Sequence, residues 1–315
     1  MSYAVLTGDC RETLRTLPPQ SVNCCVTSPP YFGLRDYGCA GQIGLEQTPG
    51  EFVAELVAVF REVKRVLRDD GTLWLNLGDS YARNPAKGQH KPGATGKNAK
   101  VYDSGGGRAS STCLTDGLKE KDLIGIPWRV AFALQADGWY LRQDIIWHKP
   151  NTMPESVRDR CTKAHEYVFM LSKSARYYYD HEAVKEPVQS KKGNARSFRG
   201  GGSYTGGNSF NNSKAKRRET KGNAPNADGL RNRRSVWTVP SKPYGAAHFA
   251  TYPPALIEPC VLAGCPPNGL VLDPFGGSGT TAGVAEKHGR NSLLCELNAE
   301  YVGLVADRVA AVAAV

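Results

Sequence analysis

Residues 270–279 read Leu-Val-Leu-Asp-Pro-Phe-Gly-Gly-Ser-Gly and join a short apolar run to a glycine-rich segment. The apolar start of this stretch predicts a buried strand over 270–272, and its glycines predict a tight turn into a helix that ends near His288. A glycine-rich turn between a strand and a helix brings backbone N–H groups and a helix N-terminus close to a ligand. The spacing Gly277-x-Gly279-x-x-Ala282 fits the dinucleotide pattern, and Glu296 on the following strand is placed to hold ribose hydroxyls.

The position of this turn in the chain says more about function than its glycines do. Glycine patterns recur by chance, so the glycines alone are equally consistent with a turn that has only a structural role. No Gly-Lys-Ser/Thr sequence follows, which disfavours a phosphate-binding P-loop. Only 36 residues follow Gly279, too few to complete a nucleotide-binding sheet. The missing strands must come from the N-terminal part, at 3–7, 22–27 and 72–77. Both ends of the chain are therefore predicted to build one sheet.

The rest of the sequence alternates between strand and helix patterns. Apolar residues recur at helical spacing from Phe52 to Leu67, and Asp70-Gly71 is predicted to turn this helix into the next strand. Pro127 opens another helix that Gly138 ends, and Asn298 is placed to cap the last one. Such alternation predicts an α/β fold with a mostly parallel sheet covered by helices on both faces. Further predicted elements are helices at 10–17, 51–68 and 254–263 and strands at 140–147, 167–171 and 292–295.

A second motif follows the predicted strand at 22–27, which runs directly into Ser28-Pro29-Pro30-Tyr31. Two prolines cannot continue a strand ladder, so they fix a rigid exit that points the Ser28 hydroxyl and the Pro29 carbonyl off the sheet edge. Two acceptors side by side suit an amino group, and Tyr31 offers a flat face on which a planar base can stack. A tight turn with an incidental serine is the alternative. Because ligands bind at the carboxyl edge of open α/β sheets, we expect this turn and the glycine loop to form one site.

Positive charge is concentrated in residues 187–235. The whole chain carries a formal net charge of +10 at pH 7, which favours a polyanionic partner. This one segment holds 12 basic residues and two acidic ones, so the remainder is close to neutral. The segment is also rich in Gly, Ser and Asn. Two interpretations stay open: a solvated, disordered insert, or a segment that folds onto a phosphate backbone. The basic residues are Lys191, Lys192, Arg196, Arg199, Lys214, Lys216, Arg217, Arg218, Lys221, Arg231, Arg233 and Arg234.

Composition argues against several other classes of protein. No apolar run approaches the roughly 18 residues of a membrane span, and Met1–Val5 lacks the pattern of a signal peptide. The nine cysteines are scattered and include no Cys-x-x-Cys pair, which argues against a disulfide framework and a zinc site. We therefore expect a cytoplasmic protein with reduced thiols, no membrane contact and no metal.

The two motifs together resemble those of a known family, the S-adenosylmethionine-dependent DNA methyltransferases that modify exocyclic amino groups. Thr27-Ser28-Pro29-Pro30-Tyr31 resembles their catalytic motif, Asp/Asn/Ser-Pro-Pro-Tyr/Phe. Asp273-Pro274-Phe275-Gly276-Gly277-Ser278-Gly279 resembles their cofactor motif, Phe-x-Gly-x-Gly. The catalytic motif comes first, as in the β group of these enzymes. The resemblance implies a Rossmann-like S-adenosylmethionine-dependent methyltransferase fold in circularly permuted order, which the sheet argument requires independently.

Further site residues are implied by the resemblance. Gly8-Asp9-Cys10 looks like the segment in which an acid approaches the adenine ring of the cofactor, and His248-x-Ala250-Thr251-Tyr252-Pro253 looks like the element against its methionine moiety. Three residues also have an alternative structural role: Asp9 and Asn298 could simply cap helices, and His248 could be a buried core histidine. The implied catalytic residues are Ser28, Pro29, Pro30 and Tyr31. The implied cofactor-binding residues are Asp9, His248, Asp273, Phe275, Gly276, Gly277, Gly279, Thr280, Thr281 and Glu296, with Thr280 and Thr281 toward the cofactor carboxylate.

The domain organisation follows from the same resemblance. Residues 1–186 and 236–315 together form the catalytic domain, in which 83–122 is a mobile loop. The basic segment 187–235 takes the place of the target recognition region. A homodimer, a partner nuclease and the recognition sequence stay open, because none of them can be read from the chain. The residues assigned to double-stranded DNA are Lys191, Lys192, Arg196, Arg199, Lys216, Arg217, Arg218, Arg233 and Arg234.

The implied reaction is direct attack of an amino nitrogen on the sulfonium methyl group of S-adenosylmethionine, with neither a metal nor a covalent intermediate. Hydrogen bonds to Ser28 and to the Pro29 carbonyl draw the nitrogen toward sp³ character. The base must leave the duplex, at a cost of a few kcal/mol that stacking on Tyr31 offsets. Serine at the first motif position favours cytosine N4 slightly over adenine N6, and both stay open.

Four rival functions explain less of the sequence. Methylation at carbon 5 of cytosine needs a cysteine nucleophile, and Pro259-Cys260 lies within an apolar helix and leaves the Ser28 motif unexplained. A protein or RNA amino-methyltransferase is closer, since release-factor glutamine methylases also use a Pro-Pro-Tyr turn, but their cofactor motif comes first. A nicotinamide dehydrogenase explains Gly277 and Gly279 and nothing at Ser28. A non-catalytic DNA-binding protein explains only the basic segment.

Overall fold

The computed structural model describes residues 3–82, 116–188, 229–242 and 251–314. Within these ranges, the strands of the main sheet are β1 (Tyr3–Thr7), β2 (Val22–Thr27), β3 (Leu67–Leu77), β4 (Tyr140–His148), β5 (His165–Ser172), β8 (Val236–Thr238), β9 (Leu270–Asp273) and β10 (Asn291–Glu296). A separate ladder joins β6 (Glu186–Pro187) and β7 (Leu230–Arg231). The helices are α1 (Cys10–Thr13), α2 (Pro49–Val66), α3 (Ile126–Ala136), α4 (Pro254–Gly264), α5 (Thr280–Lys287), α6 (Ala299–Val302) and α7 (Val305–Ala313).

The order of strands across the main sheet joins the two ends of the chain. From one edge it runs β1, β10, β9, β2, β3, β5, β4 and β8. The strands from β1 to β3 in this order are parallel to their neighbours, β5 runs antiparallel between β3 and β4, and β8 is parallel to β4. In the pairing of β2 with β9, Cys25 lies opposite Leu272. The prediction of one mostly parallel sheet built from both chain ends is confirmed.

Alternating side chains of β3 show why both faces of the sheet carry helices. Leu73, Leu75 and Leu77 are fully buried in a core that they share with α2 and α3. The neighbouring side chains point to the other face, where α4 packs closely. There a Cβ atom at Gly264 would lie 2.6 Å from Trp74 and 2.7 Å from Thr72. A strand buried on both faces is typical of a parallel sheet between two helical layers.

Helix α2 begins and ends earlier than its apolar pattern predicts. Thr48 caps it through a reciprocal pair of hydrogen bonds with Glu51. At the other end Leu67 already pairs with Val22 as the first residue of β3. The predicted Asp70-Gly71 turn is therefore wrong. The fully buried Leu67 side chain draws the chain into the sheet at once, and a register shift between β2 and β3 absorbs the residues that follow.

Most other elements lie close to where the sequence predicts them. The helix predicted at 10–17 is an exception, because α1 tightens into a 3-10 turn over Leu14–Thr16. Gly138 follows α3 with a φ of +88°, the left-handed conformation that ends many helices. Asn298 caps a helix, since its side chain accepts a hydrogen bond from the backbone N–H of Glu300, but that helix is the short α6 and the last helix, α7, begins separately at Val305.

The chain divides into two compact units. One comprises Met1–Asp180 with Ser235–Val315, and the other comprises His181–Arg234. Within the second unit, Glu186 of β6 accepts a hydrogen bond from Nε of Arg231 at 2.9 Å. The assignment of a catalytic domain and an inserted recognition segment stays a prediction. Most of both predicted loop-like stretches, 83–115 and 189–228, lies outside the described residues.

Two further observations concern the described ranges only. No helix there is long and apolar enough to cross a membrane. No group of three or more His, Cys, Asp or Glu side chains in these ranges is placed to hold a metal ion.

Candidate active site

The Ser-Pro-Pro-Tyr turn and the glycine loop open onto one cavity. The first follows β2 and the second follows β9, and these strands are neighbours, so both turns leave the same edge of the sheet. The cavity at this edge has a volume of about 240 Å³. The structure therefore brings the two motifs together where an open α/β sheet binds its ligands. The predicted site residues in the cavity wall are Asp9, Ser28, Pro29, Pro30, Tyr31, Phe275, Gly276, Gly277, Thr280 and Glu296.

Asp273 lies behind this wall and ties the two motifs together. Its side chain is buried, and Oδ1 accepts a hydrogen bond at 2.6 Å from Oγ1 of Thr27, the residue directly before Ser28. Oδ2 accepts from the Tyr252 hydroxyl at 2.9 Å and from Oγ1 of Thr281 at 2.5 Å. Burial raises the pKa of Asp273 in spite of these donors. Asp273 and Thr281 thus shape the loop from behind, and Thr280 is the threonine of the pair that faces the cavity.

Glycine is required at two points of the loop because there is no space for a side chain. A Cβ atom at Gly276 would lie 2.8 Å from Cβ of Leu294 on β10. One at Gly279 would lie 2.8 Å from a methyl group of Val305 on α7. Gly279 also has a φ of +92° at the start of α5, a conformation that few other residues adopt. The loop is thereby pressed against β10 and α7.

Glu296 holds the loop from the end of β10. Its Oε2 accepts a hydrogen bond from the backbone N–H of Gly277 at 2.7 Å, and its Oε1 accepts one from that of Asn298 at 2.8 Å. Burial raises the pKa of this carboxyl group. Each carboxylate oxygen has a second lone pair, so Glu296 can also accept hydrogen bonds from hydroxyl groups of a ligand. The arrangement suits the predicted ribose contact, which stays a prediction.

Asp9 is both a helix cap and part of the cavity wall. Its Oδ1 accepts a hydrogen bond from the backbone N–H of Arg11 at 2.8 Å, at the start of α1. The Arg11 side chain pairs with Asp9 at 2.5 Å and with Glu55 at 2.7 Å. Burial acts to raise the pKa of Asp9, but hydrogen bonds from Arg11 outweigh it and lower that pKa. The capping role is observed, and the contact with the cofactor adenine stays a prediction.

A polar network beside the catalytic turn was not predicted from the sequence. The Tyr31 hydroxyl donates to Oε2 of Glu166 at 2.6 Å and lies 3.2 Å from Oδ1 of Asn76. Glu166 forms an ion pair with Lys149, whose Nζ lies 4.0 Å from the ring centroid of Trp147. All five side chains line the cavity. The network places a half-buried ion pair next to the hydroxyl group of the predicted base-stacking tyrosine.

Strand register explains why this network escaped the sequence analysis. β4 and β5 run antiparallel with Trp147 opposite Glu166, so polar residues from distant parts of the chain meet at one sheet edge. β5 is apolar in its middle and β4 is apolar only near its end, at 145–147, and charged residues follow at this edge, Lys149 after β4 and Glu166 within β5. Charged residues at the ends of apolar strands are a usable signal. The signal needs the pairing of the two strands, which the sequence alone does not give.

Close packing fixes the Tyr31 ring. A Cβ atom at Gly78 would lie 2.4 Å from Cε2 of Tyr31, so the ring rests directly on the backbone there. Burial, and then the neighbouring Glu166 carboxylate, raise the pKa of Tyr31 well above its ordinary value. The phenol therefore stays protonated and donates its hydrogen bond.

Two hydroxyl groups of the cavity wall test whether the site suits the implied cofactor. Oγ of Ser278 and Oγ1 of Thr251 are buried and have no hydrogen-bond partner among the described residues. A buried polar atom without a partner costs free energy unless a ligand or water satisfies it. With Glu296 and the loop backbone, these groups supply the donors and acceptors that a nucleoside with an amino-acid chain requires. The residues present fit S-adenosylmethionine.

Other predicted site residues are not brought to this cavity by the described structure. Arg233 and Arg234 belong to the second unit, where Nε of Arg234 donates to Glu186 at 2.5 Å. The remaining assigned residues lie outside the described ranges, namely His248, Lys191, Lys192, Arg196, Arg199, Lys216, Arg217 and Arg218.

Comparison with known proteins decides the family. The sequence profile of the DNA methylase family matches residues 22–307. The chain is a DNA methylase of this family. This methylase is 49% identical over 302 residues to the Type II methyltransferase M.XycI of Xanthomonas campestris pv. cyanopsidis, and the match covers 96% of the chain and 86% of the relative. It is 44% identical over 308 residues to the Type II methyltransferase M.SmaI of Serratia marcescens, covering 98% of the chain and 91% of the relative.

A solved structure shows the same fold. The methylase superposes on the PvuII DNA methyltransferase (cytosine-N4-specific) with a TM-score of 0.62 and 19% sequence identity, over 100% of this chain and 92% of that one. The resemblance drawn from the two motifs is confirmed, and so is the Rossmann-like methyltransferase fold. The methylase is an S-adenosylmethionine-dependent enzyme that acts on DNA.

Proposed function

We propose that this DNA methylase transfers a methyl group to the exocyclic N4 amino group of cytosine in double-stranded DNA, in the cytoplasm of its host. One observation carries the proposal: the Ser28 and Pro29 turn and the glycine loop line a single cavity. Direct transfer needs the amino group and the methyl donor to be held next to each other and in line. One motif suits the amino group and the other suits the donor.

Serine at position 28 supports cytosine as the target base. In this family serine at the first motif position usually accompanies cytosine N4, and aspartate or asparagine accompanies adenine N6. The PvuII enzyme, which shares the fold, is named as cytosine-N4-specific. Adenine N6 is the alternative, because it presents an amino group with the same two hydrogens.

The residues of the catalytic turn prepare the amino nitrogen. Oγ of Ser28 and the carbonyl oxygen of Pro29 each accept one hydrogen of the amino group, which draws the nitrogen toward sp³ character and frees its lone pair. S-adenosylmethionine, when bound, supplies an electrophilic methyl group. Asp9, Ser278 and Glu296 are the wall residues that would hold it. Alignment of the reacting atoms then supplies most of the rate acceleration.

The target base must leave the duplex to reach this cavity. Extruding a base costs a few kcal/mol in unstacking and unpairing. Stacking on an aromatic side chain returns about 1–3 kcal/mol per base. The Tyr31 ring, packed on Gly78 and held through its hydroxyl by Glu166, supplies such a surface in a fixed orientation.

The basic segment 187–235 is proposed as the part that holds the DNA backbone. Its 12 basic residues against two acidic ones provide salt-dependent, sequence-independent affinity for phosphates. Together with residues 1–186 and 236–315 as the catalytic domain, this segment takes the position of a target recognition region.

The rival functions lose support at specific residues. Cys260, the nucleophile that carbon-5 methylation would need, is buried inside α4 and is not part of the cavity wall. RNA and protein amino-methyltransferases stay as alternatives that the choice of substrate tests. A non-catalytic DNA-binding protein would not need the two hydroxyl groups of Ser278 and Thr251 that face the cavity without partners among the described residues.

Nucleoside mass spectrometry of genomic DNA tests the proposal in cells. Cells expressing the wild-type protein are expected to gain N4-methylcytosine, and cells expressing Pro30→Ala, which loosens the rigid turn, are not. A new N6-methyladenine signal would reassign the base. No new signal, with soluble protein verified in both strains, would shift the proposal to an RNA or protein substrate.

A further inference from the structure

We propose that Arg11 sets how strictly the methylase selects a cofactor with an adenine ring, because it holds the Asp9 carboxylate in one orientation at the cavity wall. The proposal rests on the proposed function, in which Asp9 is one of the wall residues that hold S-adenosylmethionine. Asp9 belongs to the cavity wall and Arg11, among the described residues, does not. Arg11 is therefore a positioning residue that acts through Asp9.

Arg11 binds both oxygens of the Asp9 carboxylate. Its Nε lies 3.0 Å from Oδ1 and 3.0 Å from Oδ2, and its Nη2 donates to Oδ2 as well. The backbone N–H of the same residue donates to Oδ1 at 2.8 Å. A planar guanidinium that meets a carboxylate through two nitrogens fixes the plane of that group as well as its position. The Asp9 carboxylate therefore has one orientation at the cavity wall.

Arg11 uses most of the hydrogen-bonding capacity of Asp9. A carboxylate offers roughly four lone-pair sites. The backbone N–H, the Nε–H and one Nη2–H of Arg11 take three of them. The Asp9 side chain is 22% exposed, so the remaining site is open to a donor in the cavity. The guanidinium thus leaves Asp9 with a single acceptor position of defined direction.

Arg11 is itself held by two other parts of the protein. Its Nη1 donates to Oε2 of Glu55 on α2 at 2.7 Å. Its Nη2 donates to the carbonyl oxygen of Gly41 at 3.0 Å. Gly41 belongs to segment 34–43, several residues of which line the cavity. The guanidinium is therefore fixed from three sides, and the orientation that it gives to Asp9 is fixed with it.

Segment 34–43 is internally braced, which makes it a firm support for Arg11. The backbone N–H of Gly33 donates to the carbonyl oxygen of Gly44 at 2.8 Å and closes the base of the segment. Within it, Oε1 of Gln42 accepts a hydrogen bond from the backbone N–H of Tyr37 at 2.7 Å. Arg11 joins this braced segment to the cap of α1, so two sides of the cavity are held at a set distance.

The amino group at position 6 of adenine fits the open acceptor position of Asp9. In the proposed site the adenine ring lies beside this residue, and its amino group is a donor. In hypoxanthine an oxygen replaces the amino group and points a lone pair at the carboxylate instead. Although burial acts to raise the pKa of Asp9, hydrogen bonds from Arg11 lower it, so the carboxylate is ionised at neutral pH and cannot donate to that oxygen. A fixed, ionised acceptor therefore favours adenine over hypoxanthine.

A purely structural role for Arg11 is the alternative, because its loss would also release segment 34–43. Such a loss would weaken the binding of both ring types alike, whereas a lost orientation of Asp9 lowers the preference between them. The matched control is Arg65→Gln. Arg65 also ties the N-terminal part of the chain to α2, through the carbonyl oxygens of Leu14 and Leu17 at 2.8 and 2.9 Å, and lies outside the cavity wall as described.

Isothermal titration calorimetry of the full chain with two ligands separates these roles. The ligands are S-adenosylhomocysteine and S-inosylhomocysteine, which differ in the amino group and the oxygen at position 6 of the purine. The wild type is expected to bind the adenine form about 10- to 100-fold more tightly, the factor that one hydrogen bond to a charged group contributes. In Arg11→Gln this ratio of affinities should fall about 10-fold, and in Arg65→Gln it should keep the wild-type value.

A conservative variant and the wild type keep the test decisive. Arg11→Lys keeps the positive charge without the planar guanidinium, so its ratio should lie between those of the wild type and Arg11→Gln. Ratios equal to the wild-type value in both Arg11 variants, whatever the affinities, would overturn the proposal. A wild type that binds both ligands equally would also overturn it, and would leave the target base to be decided by nucleoside mass spectrometry. A wild type that binds neither ligand would overturn the proposed function itself.

Discussion

The hydroxyl of Thr27 donates a 2.6 Å hydrogen bond to the buried carboxylate of Asp273. Thr27 is the last residue of β2, directly before the catalytic turn, and Asp273 is the last residue of β9, directly before the glycine loop. One buried contact therefore sets the distance between the part of the site assigned to the amino group and the part assigned to the cofactor.

Replacing Thr27 with valine keeps the shape of the side chain and removes this hydrogen bond. A bond to a buried charged group contributes about 1–3 kcal/mol, so the free energy of unfolding of Thr27→Val should fall by that amount. Urea denaturation measures the loss, with Thr16→Val as the control, since the Thr16 hydroxyl bonds at the surface to the Thr13 carbonyl. Equal stabilities for the two variants would show that the contact has no structural weight.

The pKa of Asp273 gives stability a pH dependence. Burial raises this pKa in the folded protein, so the folded state binds a proton more tightly than the unfolded chain does. The contribution of Asp273 is therefore complete at low pH and declines as the pH rises from the ordinary carboxyl range through the raised pKa. Asp273→Asn should remove this decline in urea denaturation measured over a pH series.

A control with the opposite sign is available on the surface. Hydrogen bonds from the backbone and side chain of Lys119 lower the pKa of Asp122. Asp122→Asn should therefore remove stability that is present at neutral pH and lost on acidification. If both variants changed the slope of the free energy of unfolding against pH in the same direction, the opposite pKa shifts assigned to Asp273 and Asp122 would be refuted.

Site residues that belong to a contiguous sequence motif could be predicted, and those that depend on contacts between distant parts of the chain could not. Ser28 and Gly276 could be assigned to the site from the sequence alone, because a Pro-Pro turn and a glycine loop are each encoded by a short, contiguous run of residues. Asp273 was predicted as a cofactor residue, yet it works behind the loop, because its partners Thr27 and Tyr252 come from other elements.

Glu166 shows the limit of the sequence more sharply. It meets Tyr31 because β5 is inserted antiparallel between β3 and β4, and no local pattern gives that strand order. The fold class could be predicted from the alternating strand and helix patterns. The start of β3 at Leu67 could not be predicted, because the Asp70-Gly71 pair within it has the composition of a turn.

Gly276 is expected to tolerate no side chain. The Cβ atom of Gly276→Ala would lie 2.8 Å from Cβ of Leu294, and relief of such overpacking typically costs 1–3 kcal/mol. We expect reduced stability and weaker S-adenosylmethionine binding by isothermal titration calorimetry. Gly50→Ala is the matched control, because its Cβ atom would make only an ordinary contact, 3.5 Å from Asp116. Wild-type cofactor affinity in Gly276→Ala would show that the loop does not form the cofactor site.

Phosphate contacts made by the basic segment 187–235 should increase the salt dependence of DNA binding. Each phosphate contact contributes about 0.9 to the slope of log affinity against log salt concentration, so removing four contacts should reduce the slope by about 3–4. Fluorescence anisotropy with duplex DNA measures this slope, and the paired surface change Arg68→Ser with Lys119→Ser is the control. An unchanged slope would remove the segment from the DNA interface. The four residues to change to serine are Lys191, Lys192, Arg196 and Arg199.

Ser28 is proposed to direct methyl transfer by this methylase to cytosine N4. The most direct measurement incubates the purified full chain with duplex DNA and S-adenosylmethionine that carries a trideuterated methyl group, followed by mass spectrometry of the nucleosides. We expect N4-(trideuteromethyl)cytosine from the wild type, and almost none from a Ser28→Ala variant that binds the cofactor normally. Label on adenine N6, or on no nucleoside while the cofactor is bound, would refute cytosine N4 as the target of this enzyme.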